Sequence, residues 1–300
     1  MKFIFDFDGV MTDQTEEAIR VKQIFADSLK ERCGLPANRI DAMLERAYCE
    51  IRKSPHSHGW KDQGRISAYA NEDLFIENVG LASCLRELAD SERGDFHLAR
   101  EGLQQTAAPG FVNLSQYAYE KMVQETHQGQ IKPVDPKMAP LFRKLLNQGH
   151  ELVVVSNSAT TRILDLLHRE GLSEAVDHDA NPKAQFRVRG SARKFDLGEH
   201  PRGFEVGGYR VDTSRPSYER IIREEKPQAV TGDVFSLDLA LPLHLSRLEP
   251  ETFGNMTLFL RTQAYTPEWT KQFFSTAIEK NAKLFMIDDL AQIADRLGLS

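Results

Sequence analysis

Short apolar runs that end on polar residues, with helical stretches between them, constrain this chain most. Residues 2–7 (KFIFDF), 151–155 (ELVVV), 228–231 (QAVT), 256–261 (MTLFLR) and 283–287 (KLFMI) are such runs. They read as strands buried on both faces, because they lack the strict alternation of a half-exposed strand. Helix signals fill the intervals. Over 136–148, Asp135 is placed to cap, Pro136 takes the first helical position and Gly149 stops the helix. Thr266, Pro267 and Glu268 repeat that start for a helix near 267–281, and 159–170 and 216–225 also read as helical. Strand alternating with helix predicts an α/β fold with a doubly wound, mainly parallel sheet.

Residues 14–130 break the rhythm. Segments 15–32, 37–53, 72–93 and 114–127 look helical, with almost no strand signal. Leu85, Leu88 and Ala89 give one apolar face, and Ile19, Ile24 and Leu29 contribute to another. The chain therefore divides into an α/β core, residues 1–13 and 130–300, and an all-helical insertion, residues 14–129. The Gly- and Pro-containing stretch GQIKPVDP at 129–136 is the expected return linker. Residues 185–212 are expected to give a further strand and a β-hairpin.

The balance of 38 basic against 44 acidic residues leaves a formal charge of −6, which offers no global attraction for nucleic acid or an anionic membrane. Cys33, Cys49 and Cys84 are widely spaced and form no CxxC pair, so reduced thiols are expected. The run from Phe3 to Phe7 is too short for a signal peptide and is interrupted by Asp6 and Asp8. A cytoplasmic location is the default expectation. The sequence does not indicate an oligomeric state.

Three constellations carry chemistry. In DFDGVMTD (6–13), Asp6 and Asp8 sit two apart at the C-terminal end of a buried strand, where open α/β sheets bind ligands. Two carboxylates there can divide the work of nucleophile and general acid/base, and Gly9 lets the chain turn tightly away. The alternative is a solvated turn, which the preceding Phe3-Ile4-Phe5 makes costly. In VVVSNS (153–158), Ser156 and Asn157 end a strand just before a helix whose N-terminus suits an anion, although both residues are also ordinary caps. In TGDVFSLD (231–238), Asp233 ends a strand and Asp238 follows about a turn later; acidic oxygens so placed can share a hard cation such as magnesium.

Together, in this order and each at a strand end, the three resemble the haloacid dehalogenase superfamily of phosphatases and phosphotransferases. The resemblance covers residues 1–13 and roughly 130–300. It implies Asp6 as a nucleophile forming an aspartyl-phosphate and Asp8 as the acid/base. It further implies Ser156 as the phosphoryl-binding hydroxyl, and Asp6, the carbonyl of Asp8, Asp233 and Asp238 as the magnesium site. Asp8 at this position argues against halide displacement, whose leaving group needs no proton. The family's basic residue has two candidates, Arg215 before Pro216 and Lys194 in GSARKF; Arg215 is preferred for its helix-start context.

The insertion resembles the family's helical cap. Within it, KSPHSHGWKDQGR (53–65) reads as a connecting loop. Its His56, Lys61 and Arg65 are candidate substrate contacts, alongside Gly9 and Asn157 near the phosphoryl group. His56 and His58 lack further ligands at metal-binding spacing. Trp269, Phe273 and Phe274 are best explained by core packing. The implied activity is hydrolysis of a phosphate monoester of a small metabolite; a phosphomutase or a non-catalytic binding protein on the same fold are the alternatives.

Overall fold

The computed structural model describes residues 1–127, 134–278 and 283–299. It divides into two compact units, one of Met1–Asp13 with Val134–Ser300 and one of Gln14–Pro133. The expected linker at 129–133 and the expected last turn of the 267–281 helix lie outside the described residues.

The chain begins with strand β1 (Lys2–Phe5) and then enters the second unit. That unit holds helices α1 (Thr15–Arg32) and α2 (Ala37–Lys53), strands β2 (Gly59–Asp62) and β3 (Arg65–Tyr69), and helices α3 (Leu74–Ser91), α4 (Asp95–Gln104) and α5 (Phe111–His127). Leu29, Ile40, Ala82, Leu85, Leu103, Phe111 and Met122 close its core. The unit is therefore not all helical. Residues 59–69 form an antiparallel hairpin rather than a loop, because Gln63 and Gly64 both take the left-handed backbone that a two-residue hairpin turn demands. Gly59 is required there as well, since a Cβ would overlap the Ala68 carbonyl.

After the insertion come α6 (Met138–Asn147), β4 (Glu151–Val155), α7 (Thr160–Arg169), β5 (Val176–Asp177) and β6 (Phe186–Arg189). Then follow the hairpin β7 (Gly203–Val206) and β8 (Tyr209–Asp212), α8 (Pro216–Glu225) and β9 (Ala229–Gly232). The chain closes with α9 (Ala240–Leu248), α10 (Pro250–Phe253), β10 (Thr257–Arg261), α11 (Glu268–Ile278), β11 (Leu284–Ile287) and α12 (Gln292–Arg296). Seven strands form one sheet in the order β11-β10-β9-β1-β4-β6-β5, and every pairing in it is parallel. This is the doubly wound α/β fold that the alternation of strand and helix predicts, and the 185–212 segment supplies β6 and the β7–β8 hairpin as expected.

The register places β1 between β4 and β9: Phe3 faces Leu152 on one side and Ala229 on the other. Phe3, Phe5, Phe142, Leu145, Leu167 and Phe186 pack one face of the sheet. Removing a ring such as that of Phe142 from this core costs about 3–5 kcal/mol. Phe273 and Phe274 pack on Phe235, and Trp269 stacks on Tyr209 with ring centroids 4.4 Å apart. Trp269 and Phe274 are buried and Phe273 is half-buried, so they pack the core as their helical spacing suggests. No helix among the described residues is long and apolar enough to cross a membrane.

Candidate active site

Because β9, β1 and β4 are neighbours and run the same way, the residues just past their C-terminal ends must converge. Asp6 follows β1, and its amide donates to the Thr231 carbonyl of β9 at 2.9 Å. Gly9, directly after Asp8, takes φ +77°, and a Cβ there would overlap the Asp233 carboxylate. Glycine thus serves twice, for the left-handed turn and for the close approach of Asp233. The Gly9 amide donates to Thr12 Oγ1 at 3.1 Å, and its carbonyl accepts from Gln263 Nε2 at 2.7 Å.

Lys194 holds the centre. Its Nζ lies 2.6 Å from Asp6 Oδ1 and 2.9 Å from Asp238 Oδ1, and 5.3 Å from the Tyr218 ring centroid. Its amide donates to Asn157 Oδ1 at 2.7 Å, which ties the loop after β6 to the loop after β4. Arg215 is fully buried, but its guanidinium donates to the carbonyls of Lys194 and Ser236. The preference for Arg215 as the basic residue is therefore corrected: its position just before α8 aims it at backbone, where it braces the Lys194 loop, and Lys194 is the cation facing Asp6.

Asp233 and Asp238 both come from the segment that follows β9. Asp233 follows β9, and its Oδ2 accepts from the Tyr265 hydroxyl at 3.2 Å. Asp238 lies in a buried π-helical turn, Phe235–Leu239, and its Oδ2 accepts from the Val234 amide at 3.1 Å. One carboxylate oxygen from each of Asp6, Asp233 and Asp238 lies within 4.8 Å of the others.

Asp8 is held by donors that the sequence did not single out as a set. Its Oδ2 accepts from Ser156 Oγ at 3.0 Å and Ser158 Oγ at 2.7 Å, and its Oδ1 accepts from Arg162 at 3.0 Å. Ser158 and Arg162 were not among the expected site residues. The one signal for them is their spacing of four on α7's leading edge, and a charged residue in a first helical turn normally reads as solvated. His56, Lys61 and Arg65 belong to the second unit. Lys61 is paired with Glu87 at 2.6 Å, and His56 is exposed in a short turn before β2.

Electrostatics follow from this crowding. Burial pushes the Asp6 carboxyl well above its ordinary range, the Asp238 and Asp8 carboxylates push the same way, and Lys194 opposes them. Burial pulls the Lys194 ammonium down, but Asp238 and Asp6 outweigh it and hold the group above its ordinary value. Four carboxylates thus meet with two directly paired cations, Lys194 and Arg162. The remaining donors are hard oxygens in excess negative charge, a set that suits magnesium, which binds such oxygens at about 2.0–2.1 Å. Asp6, Asp233 and Asp238 fit that ion.

No family model matches the chain, and no curated protein matches it. Solved structures do match. A 2-haloacid dehalogenase from Pseudomonas syringae pv. Tomato is 13% identical over 99% of this chain and 98% of its own, with a TM-score of 0.41. A haloacid dehalogenase-like family hydrolase from Xanthomonas campestris is 10% identical over 100% of this chain and 90% of its own, with a TM-score of 0.46. A predicted phosphoglycolate phosphatase from Haemophilus somnus is 13% identical over 98% of this chain and 96% of its own, with a TM-score of 0.45. The chemistry is read from the chain's own side chains.

Proposed function

We propose that this protein is a magnesium-dependent phosphatase of the haloacid dehalogenase type that hydrolyses a phosphate monoester of a small metabolite through an aspartyl-phosphate. The observation that carries the reading is the Asp6 carboxylate at the end of β1, 2.6 Å from Lys194 and within one cluster with Asp233 and Asp238. A carboxylate buried among other carboxylates is destabilised unless cations offset it, and that cost is hard to explain as structural.

In this reading Asp6 attacks phosphorus while Ser156 and the Lys194 ammonium receive the negative charge that spreads over the phosphoryl oxygens. Asp8, entering this step in its protonated form, gives that proton to the leaving oxygen as the P–O bond breaks. Water then attacks the phosphorus of the aspartyl-phosphate, Asp8 takes its proton, and Asp6 is released. Asp6, Asp233 and Asp238 would hold magnesium, which when bound screens the repulsion between the Asp6 carboxylate and the anionic substrate.

Release of inorganic phosphate from p-nitrophenyl phosphate, with magnesium and with EDTA, tests the reading. Asp6→Asn is expected to lose at least about a thousand-fold in turnover while remaining folded. Unchanged turnover in that variant would remove Asp6 as the nucleophile.

A further inference from the structure

Arg162 is a buried cation that meets Asp8. It lies in the first turn of α7 with its side chain only 4% exposed, and a cation so buried is tolerated only against an anion or a full set of acceptors. One of its terminal nitrogens donates to Asp8 Oδ1 and to Ser158 Oγ, each at 3.0 Å. The Ser158 hydroxyl, accepting from Arg162, directs its own proton to Asp8 Oδ2 at 2.7 Å. Two of the three side-chain bonds that fix Asp8 therefore depend on Arg162, one directly and one through the polarity it imposes on Ser158.

The third bond has the same design. Ser156 Oγ accepts from the Ser158 amide at 3.1 Å and donates to Asp8 Oδ2 at 3.0 Å. The turn that carries both serines is itself anchored: the Ser191 amide donates to the Ser158 carbonyl at 2.8 Å and the Ala192 amide to the Ser156 carbonyl at 2.9 Å. Gly190 admits this contact, since a Cβ there would overlap the Thr160 amide. The Asp8 side chain meanwhile remains 25% exposed, so it is held firmly on one side and open on the other.

We propose that Arg162 is the positioning residue of this site: with Ser158 it fixes the carboxylate of Asp8 so that the exposed side meets the leaving-group oxygen. The proposal rests on the phosphatase reading. It specifies that the chain is built for unactivated phosphate monoesters, whose departure needs a well-placed proton donor, since misplacing a reacting group by about 1 Å can cost a hundred-fold. A guanidinium suits the role because it donates in a rigid plane and never accepts.

The test is phosphate release from a series of aryl phosphates of graded leaving-group acidity, using full-length wild type, Arg162→Ala, Arg162→Lys and Ser158→Ala. In Arg162→Ala, kcat/KM is expected to fall by about 10- to 100-fold for the least acidic leaving group and by less than about threefold for the most acidic. Arg162→Lys should recover part of the loss, and Ser158→Ala should show a smaller loss of the same pattern. An equal loss across the series, or none, overturns the proposal. Crystal structures of wild type and Arg162→Ala provide a readout without turnover. Asp8 leaving Ser158 in the variant supports positioning, and an unmoved Asp8 overturns it. If wild type hydrolyses none of the series while Asp8 still shifts, the phosphatase reading fails and the positioning role stands.

Discussion

Two of the places where the first unit buries charge are built on opposite accounts. Where β1 and β4 begin, Glu225 accepts from Arg187 at 2.8 Å, Arg189 at 3.0 Å and Lys2 at 3.2 Å, and Lys2 also meets Glu151 at 3.3 Å. There each carboxylate has a cation, Glu224 included, which meets Arg189 at 2.6 Å. Where β1 and β9 end, Asp6 and Asp238 share the single ammonium of Lys194, with Asp233 and Asp8 beside them. The pKa directions record the contrast. Burial raises the Glu225 carboxyl, but the hydrogen bond and charge of Arg187, then those of Lys2, outweigh it and leave the group below its ordinary value. The Asp6 carboxyl is left well above its ordinary value. One cluster is finished by folding; the other is left wanting positive charge.

Substitution at the finished cluster has the larger stability effect. Glu225→Ala leaves Arg187 buried without its main anion, and urea denaturation is expected to show a loss of about 3–5 kcal/mol with the Asp6 site unaltered in its magnesium dependence. A loss under about 1 kcal/mol would mean the network is not the prop described. The pH dependence has a definite sign. Because the folded Glu225 pKa lies below the unfolded value of 4.5, its stabilisation is complete above that value and is lost as pH falls through the folded pKa. Thermal melts of wild type below about pH 4.5 should therefore drop more steeply than those of Glu225→Gln.

At the unfinished cluster the expected sign reverses. The folded Asp6 pKa is raised, so the ionised carboxylate works against folding at neutral pH. Asp6→Asn is expected to raise the melting temperature of the metal-free protein. Magnesium should raise that of wild type by mass action and do less for Asp6→Asn. A variant that melts lower in EDTA would break the contrast between the two clusters. The smallest effect is expected for Lys2→Met, because Lys2 is partly exposed and water screens its pairs; a loss of about 1 kcal/mol or less is anticipated.

How far the sequence reveals all this depends on the kind of element. KFIF, ELVVV and QAVT are legible because buried parallel strands need continuous apolar runs, and once they are adjacent, Asp6, Ser156 and Asp233 must meet. Lys194 is harder to see. It arrives on a loop in which Ser191 and Arg193 both adopt the left-handed backbone, at φ 50° and 53°, and such a path has no periodic signature. Arg215 precedes a Pro-started helix and so presented the clearer pattern, yet its guanidinium is used on two carbonyls. Arg162 sits at a helical position where solvent exposure is the default, yet it is buried in the structure, where it meets Asp8. In the insertion, a hairpin of nine to eleven residues is too short for alternation to outweigh the helices around it.

The point where the chain leaves and re-enters the first unit also has a consequence. Thr12 and Val134 form an antiparallel bridge, and the Asp135 amide donates to the Met11 carbonyl at 2.7 Å. Arg261 then fastens the junction, donating to the Val10 carbonyl and to Asp135 Oδ2 at 2.7 Å. Exit and return are thus side by side, like the two ends of a loop tied at its neck. Because closure entropy grows only logarithmically with the length enclosed, the sheet is nearly indifferent to how much chain is inserted there. Such a neck allows the inserted region to diverge in size and sequence while the strands of the first unit keep their places.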